Sequence, residues 1–246
     1  MSIPVVADGT MLRATGGASR VSLDFVAPSQ DLLLVMPHPD DEALGCGMAL
    51  AAAVESGRRV AVLLLTDGEN SHPKSAAFDT ETRRNLRLCE LRTALEILAP
   101  GNEIPLVRAG FPDGRSVTES AEKALDGWLS KRCVARARTI WSTWGHDPHC
   151  DHQVAAHAAR CLAQRLGADL WSVPVWGRFG DLPVPDELYL FADDRFAARK
   201  RDAIAAHASQ MTDLIADDPD GFVMPPALAE HFASHPEIFI RERPDA

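Results

Sequence analysis

Leu32-Leu33-Leu34-Val35-Met36-Pro37-His38-Pro39-Asp40-Asp41-Glu42 is an apolar run that ends in one imidazole and three carboxylates. An apolar run that does not alternate with polar residues reads as a strand covered on both faces, here Asp31 to Met36. Like charges packed this closely at a strand end repel unless something positive sits among them. A divalent cation meets that requirement, with His38 and one aspartate as ligands and the other aspartate free for proton transfer. A helix N-terminus, whose dipole favours Asp and Glu, meets it without a metal. The hexapeptide alone leaves both readings open.

A second cluster, His146-Asp147-Pro148-His149-Cys150-Asp151-His152, follows the strand-like run Thr139 to Trp144 and holds three of the nine histidines of the chain. Two such clusters, each placed just after a strand, read as the halves of one metal site.

The intervening chain alternates strands and helices. Asp40 to Ser56 reads as a helix stopped by Gly57, and Val60 to Leu65 as a strand ending in Thr66-Asp67-Gly68-Glu69. Asn70 to Phe78 is a polar loop and Thr80 to Leu98 a long helix. Ile104 to Ala109 is a strand followed by the turn Phe111-Pro112-Asp113-Gly114. Ser116-Val117-Thr118-Glu119 has the capping-box pattern and opens a helix to about Arg132. Asp151 to Leu166 is a helix closed by Gly167, Leu170 to Trp176 and Glu187 to Phe191 are strands, and Asp194 to about Ile215 is a helix. Glu237 to Arg241 is a short strand. The acidic run Asp217-Asp218-Pro219-Asp220-Gly221 reads as a solvated loop.

This order predicts an α/β fold: a single Rossmann-like domain with a mostly parallel sheet covered by helices on both faces, over 31–246, preceded by an N-terminal extension over 1–30. The four polar clusters His38 to Glu42, Thr66 to Glu69, Phe111 to Gly114 and His146 to His152 each follow a strand, so they emerge on one edge, at the carboxyl ends, where such sheets bind ligands.

The chain has 246 residues, 46% of them hydrophobic, and a formal charge of −10. With no basic stripe, nucleic acid and anionic membranes are excluded as expected partners. No apolar stretch reaches the roughly 20 residues of a bilayer span, and no basic segment followed by an apolar one opens the chain. Five cysteines without a CxxC pair fit a reducing, cytoplasmic setting.

Pro-His-Pro-Asp-Asp-Glu after a first strand, with His-x-Asp-His before a later helix, resembles the PIG-L/LmbE family of zinc-dependent amidohydrolases. Its members largely remove N-acetyl groups from glucosamine-containing molecules, among them mycothiol precursors, glycosylphosphatidylinositol intermediates and glycopeptide sugars. The resemblance runs from about Leu32 to His152 and includes Thr66-Asp-Gly-Glu69 and Arg87-x-x-Glu90-x-x-x-Ala94; Ala206-His207-Ala208-Ser209-Gln210 is similar to a later family segment. It implies a zinc ion held by His38, Asp41 and His152, with Asp40 as general base. It also implies His149 as the group that stabilises the oxyanion or protonates the departing amine, held in its tautomer by Asp151. Arg87 and Asp113 would meet the substrate, an N-acetylated sugar or glycoconjugate that leaves as acetate and a free amine.

Other readings of the same residues stay open. Asp40 could be a further metal ligand, and His149 and His152 could exchange roles. Cys150, flanked by His149 and Asp151, could be a thiol nucleophile, but a nucleophile would make the carboxylates at 40 and 41 redundant. Arg87 could be an exposed helix arginine. His146 reads as a polar loop residue, and His207 and Gln210 carry little signal. A nucleotide-binding domain would match the βαβ start, but its first turn needs glycines and free N–H groups where this chain has two prolines and two aspartates. A non-catalytic carbohydrate-binding protein on the same scaffold is the remaining alternative.

Overall fold

The computed structural model of the chain describes residue 4 and residues 6–243. Eight strands, β1 (Ser19–Arg20), β2 (Asp31–Met36), β3 (Arg59–Thr66), β4 (Leu106–Phe111), β5 (Thr139–Thr143), β6 (Asp169–Val173), β7 (Leu188–Phe191) and β8 (Glu237–Glu242), form one sheet. Their order is β1-β7-β8-β6-β5-β2-β3-β4. Every pairing is parallel except those of β8, which runs antiparallel to β6 and β7.

The expected α/β architecture is therefore present, and the alternation of β2 explains its two layers. Leu32, Leu34 and Met36 pack with Ala43, Leu44 and Trp141 on one face. Leu33 and Val35 pack with Leu63, Ile140 and Leu162 on the other. Successive residues of a strand point to opposite faces, so a strand covered on both sides must be apolar throughout. From β2 the chain winds outward through β3 to β4, then returns to place β5 on the other side of β2. Strand order reverses between β2 and β5, and the crevice at such a reversal is where α/β sheets bind ligands. The two polar clusters follow these two strands.

Before β2, the described residues pack onto the sheet: Met11, Val26 and Ala27 are buried, β1 pairs with β7, and Trp141 Nε1 donates to Val26 O at 2.8 Å. Several boundaries differ from the sequence reading. The strand expected at Ile104 to Ala109 lies at Leu106–Phe111. The capping box does not form: Val117 is the N-cap of Thr118–Leu129, while the Ser116 hydroxyl donates to Pro112 O. The helix expected from Asp194 to Ile215 stops at Ala206, and a short turn, Ala208–Met211, follows across His207. A helix at Pro226–Ser234 lies between the acidic run and the last strand, where the sequence reading assigned no element.

Candidate active site

Beyond Met36, Pro37-His38-Pro39 carries the chain over the sheet edge into the helix Asp41–Glu55. Asp40 is its N-cap and the one non-glycine residue at positive φ among the described residues, with φ 120° and ψ −29°. A residue with a Cβ is strained there, so buried contacts must hold it. Asp40 N–H donates to Glu42 Oε2 at 3.1 Å, and Arg87 Nη2 donates to Asp40 Oδ2 at 3.0 Å. Arg87, from the helix Thr80–Leu98, also donates to Pro39 O and, at 3.1 Å, to Gly68 O. Gly68 has φ 68°, and a Cβ on it would lie 2.1 Å from Arg87 Nη1, so the guanidinium can reach over this residue only because it is glycine. Burial pushes the Asp40 carboxyl up to about 6, with Arg87 pulling it down and Asp41 pushing it up.

The two candidate ligand histidines share a pattern. His38 Nε2 is 3.1 Å from Asp151 Oδ2 and 3.3 Å from Asp113 Oδ1, while its Nδ1 is 3.2 Å from Asp41 Oδ2. His152 Nδ1 is 2.8 Å from Asp147 Oδ2, while its Nε2 faces Asp41 Oδ1 at 3.5 Å and has no hydrogen-bond partner. Each ring thus gives one nitrogen to an outlying carboxylate and turns the other toward Asp41. Ligating histidines are held in this way, their second N–H donated to a carboxylate. An orphaned nitrogen in a fully buried ring costs roughly 1–3 kcal/mol unless something meets it. An imidazole nitrogen of His38 and one of His152, each within 3.5 Å of an oxygen of Asp41, are a donor set that suits a divalent cation of the zinc type. Burial would raise the Asp41 carboxyl, but His152 and His38 outweigh it and bring it down to about 2.

His149 caps the helix Cys150–Leu166, its Nδ1 accepting the Asp151 N–H at 3.2 Å. That bond leaves the proton of the neutral ring on Nε2. One nitrogen each of His38, His149 and His152 lie within 4.8 Å of one another. Burial, then repulsion from His38 and His152, brings His149 down to about 4. The Asp151 carboxylate comes no nearer than 3.9 Å to His149 Nδ1. It goes instead to His38 and to the N–H groups of Gly114 at 2.7 Å and Ser116 at 3.1 Å. Asp113 is clasped between His38 and the Asn70 N–H, which donates to it at 2.8 Å.

His38, Asp40, Asp41, Arg87, Asp113 and His149 line a single cavity of about 230 Å³, and Asp151 and His152 are fully buried beside it. All eight residues singled out in the sequence come together at the β2–β5 edge. Arg87 does so as a buried group whose two terminal nitrogens are already engaged by the protein. His146 stays outside, its ring 4.9 Å from that of Trp144.

Trp176, Phe222, Asn70, Ser71, Gln210 and Gly114 complete the lining, with the Trp176 and Phe222 rings edge to face at 5.8 Å. The acidic run is exposed apart from Asp218 and partly buried Gly221, as a solvated loop would be, but it also docks the loop over 70–78. Asp217 accepts from Ser75 Oγ at 2.7 Å and from the N–H groups of Ala76 at 2.8 Å and Ala77 at 2.9 Å. Asp218 accepts the Lys74 N–H at 2.7 Å, and Phe222 N–H donates to Ser71 O at 2.8 Å. Sequence reasoning gave no role to Asp147, which also accepts from the N–H groups of Val175, Trp176 and Gly177 at 3.1, 3.3 and 2.7 Å. Its only signal was membership of the histidine-rich cluster. Gln210 is held by Ser209, whose N–H and hydroxyl both donate at 2.7 Å to Glu90.

A Rossmann-like sheet with a histidine and carboxylate cluster at its strand reversal has the build of a metal-assisted hydrolase. The chain belongs to the PIG-L family, whose model, described as GlcNAc-PI de-N-acetylase, matches residues 33–163. The 1D-myo-inositol 2-acetamido-2-deoxy-alpha-D-glucopyranoside deacetylase of Geodermatophilus obscurus is 38% identical over 250 residues, 76% of this chain and 85% of that protein. The protein of the same name from Kineococcus radiotolerans is 34% identical over 106 residues; that match spans 42% of this chain and only 28% of the relative's length. Among solved structures, the N,N'-diacetylchitobiose deacetylase from Pyrococcus horikoshii superposes with a TM-score of 0.66 at 15% identity, over 96% of this chain and 94% of that one. That likeness shows the fold.

Proposed function

We propose that this protein hydrolyses the acetamide of a glucosamine-type sugar or glycoconjugate, releasing acetate and a free amine, with a zinc ion held by His38 Nδ1, Asp41 and His152 Nε2. The observation that carries the reading is the buried, partnerless Nε2 of His152 facing Asp41, on a ring anchored from behind by Asp147. When bound, the cation supplies Lewis-acid chemistry, polarising the acetamide carbonyl and acidifying water toward a pKa of about 7. Asp40, aimed by Arg87 and placed at the cavity wall, takes a proton from the attacking water and returns it toward the departing nitrogen. His149 presents Nε2–H to the oxygen of the tetrahedral intermediate, a donor fixed in place before charge develops. Asp151 and Asp147 keep His38 and His152 in the tautomers that leave their free nitrogens aimed at Asp41. Asp113 and Gln210 offer polar groups to ring hydroxyls, and Trp176 with Phe222 gives the ring's apolar face a surface.

The relatives named above act on an acetamido-glucopyranoside attached to inositol, which supports the sugar class. Five free cysteines support a reducing cytoplasm, and among the described residues no helix is long and apolar enough to cross a membrane. The test is a panel of N-acetylglucosamine, its inositol-linked and other β- and α-glycosides, and N-acetylated amino acids, with acetate and primary amine measured together. Acetate from the sugars but not the amino acids is the expected outcome. Acetate from amino acids alone would overturn the sugar assignment, and none from any member by metal-loaded protein would overturn the deacetylase assignment.

A further inference from the structure

Asp40 holds its strained backbone at φ 120° through an N–H bond to Glu42, and Glu42 in turn meets His207. Glu42 and His207 are both fully buried and neither lines the cavity. One carboxylate oxygen of Glu42, Oε2, accepts the Asp40 N–H at 3.1 Å; the other, Oε1, is 3.1 Å from His207 Nε2. His207 sits where the helix Asp194–Ala206 breaks, at φ −82° and ψ 55°, and its ring Nδ1 has no partner. Among the described residues the ring therefore has Glu42 as its one hydrogen-bonding contact. A buried carboxylate–imidazole pair is a poor stabiliser, because desolvation offsets most of the attraction. Its position fits a different role. Both oxygens of Glu42 are fixed, so the N–H that sets the Asp40 backbone has only one place to go.

We propose that Glu42 and His207 are positioning residues for the reaction, a buried brace that holds the Asp40 backbone in the conformation that aims its carboxylate into the cavity, while Arg87 fixes the carboxylate itself. This rests on the reading of Asp40 as the base. A carboxylate displaced by an ångström loses turnover without losing substrate or metal, a loss on the order of 100-fold at most.

The experiment compares His207→Leu, His207→Gln and Glu42→Met with Asp40→Asn, in full-length metal-loaded protein, on whichever sugar of the panel is turned over fastest. For each, kcat, KM, metal stoichiometry and melting temperature are recorded. His207→Leu is expected to lower kcat by about 10- to 100-fold with KM and metal content unchanged. Glutamine can place a donor near the former Nε2, so His207→Gln is expected to recover most of the loss. Wild-type kcat in His207→Leu overturns the proposal, as does an equal loss in both His207 variants that tracks a fall in melting temperature or metal. Should His207→Leu fail to fold, Glu42→Met decides: of similar length, it removes the acceptor of the Asp40 N–H outright, so kcat must fall with metal retained, and an unchanged kcat overturns the brace. Full turnover in Asp40→Asn would instead overturn the base assignment, a result distinct from any failure of the brace.

Discussion

At the scale of single residues, the site is a set of lone pairs and protons placed by carboxylates behind them. Asp40→Asn is nearly isosteric and keeps a group for Arg87 to meet, so fold and metal should survive while turnover drops by roughly 10²–10⁴, the scale of a lost general base; steady-state kinetics beside metal analysis reads this. Asp147→Asn is expected to keep activity at saturating zinc but weaken metal affinity by about 10- to 100-fold, because a neutral amide oxygen replaces the carboxylate that orients the His152 ring and raises its basicity. Competition with a chelator of known affinity measures it, and unchanged affinity would detach Asp147 from the metal. That the two polar clusters share one edge was legible because each follows a strand, while the choice of His38, Asp41 and His152 within them rested on the family resemblance. Asp147, Glu42 and His207 were not legible, since their roles depend on which atom each faces. His207 reaches Glu42 across 165 positions, a distance no local pattern encodes.

At the scale of elements, the helix Asp41–Glu55 shows how the fold supports its own first turn. It kinks at Cys46, where φ is −146° and ψ 28°. The N–H groups of Met48 and Ala49 donate to the Glu237 carboxylate of β8 at 2.6 and 2.9 Å. Lys200 Nζ, also buried, lies 2.8 Å from the same group. Gly45-Cys46-Gly47, too late in the helix for a phosphate loop, lets this bend pack closely: a Cβ on Gly45 would lie 2.9 Å from Val173 and one on Gly47 3.0 Å from Lys200. Glu237→Ala leaves a buried ammonium unpaired and should destabilise the protein by about 3–5 kcal/mol in denaturant unfolding; a change below about 1 kcal/mol would show that water reaches the pair. Strands β2, β3 and β5 were legible because both faces are buried, which leaves no alternation to misread. The two exposed residues of β1 carry no such pattern. The expected capping box failed because Asp151 takes the Ser116 N–H and Pro112 O takes its hydroxyl, tertiary partners that outcompete a local one.

At the scale of the whole molecule, the reversal of strand order between β2 and β5 gathers four separate loops over one edge, and the acidic run at 217–218 ties the loop over 70–78 down beside them. That convergence was legible from the alternation of strands and helices; the clamp was not, because the acids in it look like any solvated loop until their N–H partners are known. If the metal binds the folded state alone, zinc at about a thousandfold its dissociation constant adds about 4 kcal/mol of stability. Chelation should then lower the melting temperature, and zinc should restore it; a melting temperature indifferent to metal would argue against a cation at the core of this site. The most direct measurement is acetate release from the inositol-linked or simple glycoside of N-acetylglucosamine by zinc-loaded protein, set beside the same protein carrying His152→Ala. Stoichiometric acetate and amine from the first, with metal and activity lost together in the second, is the predicted result. Acetate release that persists in His152→Ala after its metal is gone would contradict it.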